Sequence, residues 1–144
     1  MNDKHRGSDR VDVRDLYYDL IQSKTLLAVD AEHAVPNNPT RASFSHINFY
    51  TQGYRFALTT NIDTDEIVIA VEPSQSAPAT EPSLHPVLRE LVGREFGWIW
   101  YATNVQGYND MLMLAFGATG EGARPQLGFL VEASTINIYR LARC

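Results

Sequence analysis

The sequence predicts an α+β domain in which an antiparallel sheet of about seven or eight strands packs with two short helices. Most apolar segments are short and are separated by Gly, Pro, Asn and Asp, which is typical of strands joined by tight turns. Two other segments have apolar residues at helical spacing. At 144 residues and 44% hydrophobic content, the chain is long enough for one core. We therefore expect a flexible tail over residues 1–9 and a single domain over residues 10–144.

The first half of this domain is predicted to be one helix followed by strands. Within residues 10–23, apolar side chains recur at helical spacing, at Val13, Leu16, Tyr17, Leu20 and Ile21. The strands are predicted over residues 25–31, 43–50, 54–60 and 67–71. Turn-forming residues separate the last three strands, so we expect two consecutive hairpins there.

A Pro-rich segment over residues 73–86 leads into the second half, and we expect it to be a crossing loop within the same domain. A short helix is predicted over residues 87–92, and strands over residues 96–103, 111–116, 127–133 and 135–141. The first three of these strands are almost continuously apolar, which indicates central positions in a sheet. Because Gln-Gly-Tyr occurs once in each half, two related halves are kept as an alternative.

Negative charge is concentrated in the first half of the chain. Residues 1–72 contain eleven Asp/Glu and seven Lys/Arg, so they carry −4 of the formal net charge of −5. Proteins that bind nucleic acids or anionic membranes present a basic surface to phosphate groups. We therefore expect neither of these partners, and we expect a basic protein to be attracted.

Two stretches without Lys or Arg contain the carboxylates that are candidates for such a contact. They span residues 25–40 and residues 61–72. The candidate partner-binding residues in them are Asp30, Glu32, Asp63, Asp65 and Glu66.

No recognised catalytic or metal-binding motif occurs in the sequence, so we expect no metal or cofactor. The segment Asp63-x-Asp65-Glu66 lacks the glycine and the final glutamate of a calcium-binding loop. An unrecognised hydrolase that uses His33 or His46 with Asp63 stays open as an alternative. One cysteine, Cys144, and the absence of an apolar secretory segment near Met1 favour the cytoplasm.

Trp98 and Trp100 are two residues apart, so on a strand both side chains lie on one face. The preferred interpretation is that they fill the core beneath a helix, because the flanking sequence is apolar on both sides. The alternative is an aromatic surface, completed by Tyr108 and the Pro-rich loop, that binds a small ligand, or a patch that binds a partner.

Two motifs give the sequence a resemblance to a family. An Asp-x-Asp-Glu hairpin and a later stretch with Trp and Gln-Gly-Tyr-x-Asp resemble an uncharacterised family of small bacterial proteins. The matching residues, within residues 54–140, are Asp63, Asp65, Glu66, Gly93, Trp98, Gln106, Gly107, Tyr108 and Asp110. The resemblance implies no particular activity.

These observations together favour a non-catalytic, cytosolic binding protein. The acidic balance and the carboxylate-rich hairpin favour an immunity or antitoxin-type inhibitor of a basic bacterial toxin. The two alternatives are a small-ligand-binding module and the hydrolase described above.

Overall fold

The computed structural model describes residues 13–34, 42–117 and 124–141, which form two helices and eight strands. The helices are α1 (Val13–Leu20) and α2 (Pro86–Arg89). The strands are β1 (Ala28–His33), β2 (Ser43–Thr51), β3 (Tyr54–Asn61), β4 (Glu66–Pro73), β5 (Phe96–Thr103), β6 (Asn109–Phe116), β7 (Leu127–Glu132) and β8 (Thr135–Arg140). The predicted tail over residues 1–9 lies outside the described residues.

The strands form two antiparallel meanders that β2 connects. Strands β1–β4 follow α1, strands β5–β8 follow α2, and each strand pairs with the next. Near its start, β2 pairs with β8 through Ser43↔Asn137 and Phe44↔Ile136, whereas its later residues pair with β3. The sheet order is therefore β4-β3-β2-β8-β7-β6-β5, with β1 on the other side of β2. This confirms the predicted α+β class with an antiparallel sheet of seven or eight strands.

An aromatic core lies between the inner faces of the two meanders. The Phe49 ring of β2 is 5.8 Å from the Phe96 ring of β5 and 6.2 Å from the Phe129 ring of β7. These contacts require the sheet to curl until its two halves pack against each other. The other large and fully buried side chains are Tyr17, Ile21, Leu26, Phe44, Ile47, Phe56, Leu58, Leu88 and Phe116.

Helix α1 and the segment after it cover the outer edge of β5. Residues 23–26 exchange backbone hydrogen bonds with residues 93–96, including Ser23 N–H to the Phe96 carbonyl at 2.8 Å. Beyond them, the Tyr17 hydroxyl donates to the Gly97 carbonyl at 2.7 Å, and the Tyr18 hydroxyl donates to the Ile99 carbonyl at 3.2 Å. An uncovered edge strand exposes unpaired N–H and C=O groups that can bind another chain. In β5, several of these groups are instead paired with α1 and the segment after it.

The structure corrects the predicted position of β5. Its almost continuous apolar sequence indicated a central strand, but β5 lies at one end of the sheet order. The segment before β1 forms only an isolated bridge, Thr25↔Glu95, so β1 begins at Ala28 and not at residue 25. Helix α1 ends at Leu20 and not at residue 23, and α2 ends at Arg89 and not at residue 92. Neither helix among the described residues has the length and hydropathy that a membrane span requires.

Replacing Tyr17 with phenylalanine is expected to lower the free energy of unfolding by about 1–3 kcal/mol, because the buried Gly97 carbonyl loses its donor. Urea unfolding at pH 7 measures this change. Tyr18→Phe is the matched control: Tyr18 is 37% exposed, so water replaces its hydroxyl and the loss stays below about 0.5 kcal/mol. Equal losses in both variants would show that the buried contact has no special role.

Burial raises the pKa of Tyr17 well above the ordinary tyrosine value of 10.0, and the neighbouring Tyr18 raises it further. Below pH 10 the hydroxyl is neutral in both the folded and the unfolded chain. Above pH 10 only the unfolded chain ionises freely, so the free energy of unfolding falls by up to about 1.4 kcal/mol per pH unit. In Tyr17→Phe this contribution is absent, so urea titrations at increasing alkaline pH should show a shallower decline. A decline as steep as in the wild type would contradict the assignment.

Candidate functional site: an acidic end formed by three turns

Three turns that are far apart in the sequence meet at one end of the sheet. They join β3 to β4, β5 to β6, and β7 to β8. We call this region the acidic end and define it as residues 60–66, 103–110 and 132–135. It contains most of the motif residues on which the family resemblance rests.

Asp65 connects the first of these turns to the last. Its Oδ1 accepts hydrogen bonds from the backbone N–H of Ser134 at 2.9 Å and from the Ser134 hydroxyl at 3.2 Å. The two residues are 69 positions apart in the chain. A charged acceptor makes such hydrogen bonds stronger than neutral ones, so this contact holds the β7–β8 turn against the β3–β4 turn.

Glu66 connects the first turn to the second. Its Oε2 accepts the backbone N–H of Asn109 at 3.0 Å, and its Oε1 accepts the Thr64 hydroxyl at 3.0 Å. The two oxygens of one carboxylate therefore join the start of β6 to the β3–β4 turn. Asp65 and Glu66 thus have structural roles in addition to the predicted partner-binding role.

Asn104 organises the turn between β5 and β6. Its side-chain oxygen accepts the N–H groups of Gln106 at 2.9 Å and Tyr108 at 3.2 Å. The backbone N–H of Asn104 donates to the Tyr108 carbonyl. Gly107 in the same turn has a φ of +91°, a conformation that glycine adopts without strain. This side-chain contact explains why an asparagine precedes the Gln-Gly-Tyr sequence.

The backbone of the acidic end includes three non-glycine residues with positive φ, namely Asp65 (55°), Ala133 (51°) and Ser134 (62°). Positive φ at Ala133 and Ser134 matches the two-residue hairpin turn that follows the twist of the flanking strands. Alanine and serine have no intrinsic preference for this conformation, so the turn depends on the hydrogen bonds that Ser134 donates to Asp65.

The acidic end has strongly one-sided charge. Its three segments contain five carboxylates and no Lys, Arg or His, the carboxylates being those of Asp63, Asp65, Glu66, Asp110 and Glu132. The ion pairs found among the described residues, Arg55–Glu72 and Arg140–Glu90, lie elsewhere. Because the described ion pairs leave these carboxylates out and the three segments contain no cation of their own, the segments present a negative field.

Apolar side chains project from the tips of two of the turns. Ile62 is 76% exposed, and Val105 is fully exposed. Tyr108 is partly exposed beside Val105, and Asp63 is exposed beside Ile62. The acidic end therefore combines exposed apolar groups with carboxylates, as partner-binding surfaces often do.

The predicted residues Asp30 and Glu32 lie away from this end, on β1. Asp30 accepts hydrogen bonds from the Asn48 amide at 2.9 Å and the Tyr50 hydroxyl at 2.8 Å, and Glu32 accepts one from the Ser45 hydroxyl at 2.9 Å. Burial raises the pKa of Tyr50, and the hydrogen bond to Asp30 raises it further. The five predicted carboxylates thus form two separate groups.

Trp98 and Trp100 share one face of β5, as predicted, but they do not fill the core. Their rings are stacked 6.4 Å apart on the outer face, and Trp98 is 50% exposed. The cause is an irregularity in the pairing of β5 with β6: Phe96 and Ile99, three residues apart, both face inward. Tyr108 lies opposite Asn104, about 20 Å further along the hairpin at about 3.4 Å per residue, so it does not share a small pocket with Trp98.

The residues of the hydrolase alternative do not form a hydrogen-bonded group among the described residues. Glu32 and His46 are cross-strand neighbours, but the Glu32 carboxylate accepts Ser45. The His33 ring packs 4.9 Å from the Phe44 ring, and Asp63 lies in the β3–β4 turn. The described part of the chain also contains no group of three or more His, Cys, Asp or Glu arranged to hold a metal ion.

The sequence pattern indicated Asp63, Asp65 and Glu66 but not the structural partners of the last two, Ser134 and Asn109. No local pattern links these positions, since strand pairing alone brings them together. The exposure of Ile62 and Val105 was detectable, because each is an isolated apolar residue inside a turn segment.

Replacing Asp65 with alanine is expected to lower the free energy of unfolding by about 2–3 kcal/mol, since two donors of Ser134 lose their acceptor and alanine disfavours positive φ. Asparagine retains an acceptor and tolerates this φ, so Asp65→Asn should lose less than about 1 kcal/mol. Urea unfolding measures both. In the exposed control Asp63→Ala the change should stay within about 0.5 kcal/mol; an Asp65→Ala loss no larger than that would rule out the structural role.

Comparison with known proteins assigns the chain to a family. No curated protein and no solved structure matches it. One family model, described as a family of unknown function (DUF6334), matches residues 10–144. The match covers both meanders and all three turns of the acidic end, and it confirms the expectation of an uncharacterised family. The chain therefore belongs to DUF6334, a family of unknown function.

Proposed function

We propose that this chain is a non-catalytic binding protein that holds a basic protein at its acidic end. The observation that carries the proposal is the meeting of three turns that contain five carboxylates and no basic residue. Such a surface attracts a cationic partner at long range and repels acidic ones.

The hydrogen bonds of Asp65 and Glu66 support this function by holding the turns in place before binding. A preorganised surface loses less conformational entropy when a partner binds. Glu66 retains lone pairs beyond the two that its hydrogen bonds use, so its carboxylate is still an acceptor for a partner Arg or Lys.

The exposed side chains of Ile62 and Val105 support a contact with protein and not with a small cation. Desolvated apolar groups at the centre of an interface contribute most of its affinity, and the surrounding charges contribute association rate and specificity. Asp63 is exposed and adjoins Ile62 in the sequence, so it is the carboxylate best placed to increase the association rate and the specificity.

For the class of partner, we propose a basic bacterial toxin, with this chain acting as its immunity or antitoxin-type inhibitor in the cytoplasm. A small acidic protein that covers a basic active surface inhibits it without catalysis. A single cysteine at Cys144 is consistent with a reducing compartment.

The experiment is capture from a lysate of the native cell, followed by association kinetics with the captured protein. We expect a basic partner whose association rate falls steeply with salt. Asp63→Lys should slow association several-fold at low salt and reduce the salt dependence, since it removes one attractive charge and adds one repulsive charge.

Glu81→Lys is the matched control, because it makes the same change of net charge on an exposed residue of the Pro-rich loop. Its association rate should stay close to that of the wild type. Capture of only acidic proteins, or equal rates for the two variants, would remove the acidic end from the interface.

A further inference from the structure

The turn between β5 and β6 has the longest exposed tip in the acidic end. Its exposed run covers residues 105–108, against residues 61–63 in the β3–β4 turn and residues 132–133 in the β7–β8 turn. Val105, at the start of this run, is as exposed as in an extended peptide. No side chain among the described residues therefore covers Val105, although an apolar side chain gains free energy when it leaves water.

This turn is held in shape by the fold before any partner binds. Besides the two bonds to the Asn104 side chain described above, the Gly107 N–H donates to the Asn104 carbonyl at 3.0 Å, and the Thr103 hydroxyl donates to the Asn109 side-chain oxygen at 2.7 Å. The Asn109 N–H donates to Glu66 of β4 at 3.0 Å. A turn held in this way loses little conformational entropy on binding, so more of the contact free energy appears as affinity.

Charge lies at the base of this turn and not at its tip. Residues 105–108 carry no charge. The carboxylates at the base are those of Asp110, which accepts the Asn104 amide at 3.4 Å, and Glu66, which accepts the Asn109 N–H. The surface complementary to this turn therefore has an apolar interior and basic residues around its entrance.

The exposure of Val105 also determines the shape of that surface. A flat surface covers one side of a fully exposed side chain and leaves its other sides in water, whereas a concave pocket covers all of them. Complete burial of a valine side chain strengthens binding about ten- to a hundredfold. A pocket therefore gains the most from Val105.

The other two turns of the acidic end are less suited to enter a pocket. Ile62 is 76% exposed, but Asp63, exposed as well, is its neighbour in sequence. A carboxylate is costly to bury without a paired cation, so the β3–β4 turn fits the entrance of a cleft better than its interior. At the tip of the β7–β8 turn, Ala133 and Ser134 have small side chains, which bury little apolar area.

We propose that the β5–β6 turn inserts into a cleft of the basic partner, with Val105 in an apolar pocket inside the cleft. Asp110 and Glu66 then pair with Lys or Arg at its entrance. This inference rests on the proposed function and adds to it the segment that enters the partner and the shape of the surface that receives it. A cleft that holds this turn is closed to other molecules, so the contact blocks any activity that the cleft has.

Photo-crosslinking with the full chain tests where the turn lies. A diazirine analogue of leucine, close to valine in size, replaces Val105, and the variant is irradiated in a lysate of the native cell. Mass spectrometry identifies the crosslinked protein and the crosslinked residue. We expect a basic protein, labelled inside a concave surface whose rim contains Lys or Arg. The same analogue at Val92, exposed before the start of β5 and so at its opposite end, should not label this protein.

Binding measurements with the crosslinked protein, purified, give the contribution of the turn. Val105→Ser should raise its Kd at least about tenfold, mainly through faster dissociation, because it removes the buried side chain and leaves the charges in place. Val92→Ser, the matched control, should leave the Kd unchanged. Asn104→Ala keeps Val105 and removes the bonds that hold the tip, so it should raise the Kd several-fold. Far-ultraviolet circular dichroism checks that all three variants are folded.

Two results separate this inference from the proposed function. A basic partner whose association slows in Asp63→Lys, but whose Kd is the same for the wild type and Val105→Ser, would overturn the insertion and leave the acidic end as the interface. A crosslink from position 105 to a flat surface would do the same. Capture and crosslinking of no basic protein would overturn both.

Discussion

The burial of the Tyr17 hydroxyl against the Gly97 carbonyl is the contact on which the rest of the fold depends. Tyr17 is completely buried, and its ring is 5.0 Å from the ring of Phe56 in β3 and 6.2 Å from that of Phe96 in β5. One side chain therefore contacts both halves of the curled sheet. Because a buried carbonyl without a donor is costly, the hydroxyl that satisfies Gly97 also sets where α1 lies against β5.

The curl of the sheet also determines the acidic end. Once β4 approaches the β5–β8 meander, the three turns at that end come within hydrogen-bond distance of each other. Carboxylates are well suited to hold such turns, since each accepts several backbone N–H groups. The same groups repel one another, since the three turn segments contain no Lys or Arg that would offset their charge.

The acidic end and the outer face of β5 differ in chemistry. The first combines carboxylates with isolated apolar side chains at the tips of its turns. On the second, the rings of Trp98 and Trp100 are stacked and Trp98 is half-exposed, so a contact there depends on apolar burial and little on salt.

The sequence by itself determined most of the secondary structure, because local patterns were enough to place its elements. The helical spacing around Tyr17 placed α1, and the turn-forming residues between the apolar segments placed β3 and β4. Each helix precedes a four-stranded meander, as the alternative of two related halves requires, and a common origin of the halves stays a prediction. The sequence also located Asp63, Asp65 and Glu66 as a group.

Only the tertiary structure decided that β5 is an edge strand, that Trp98 faces outward, and that Asp65 holds Ser134. Each of these depends on which strands pair, in what register and with what irregularity, and those choices come from packing between residues far apart in the chain.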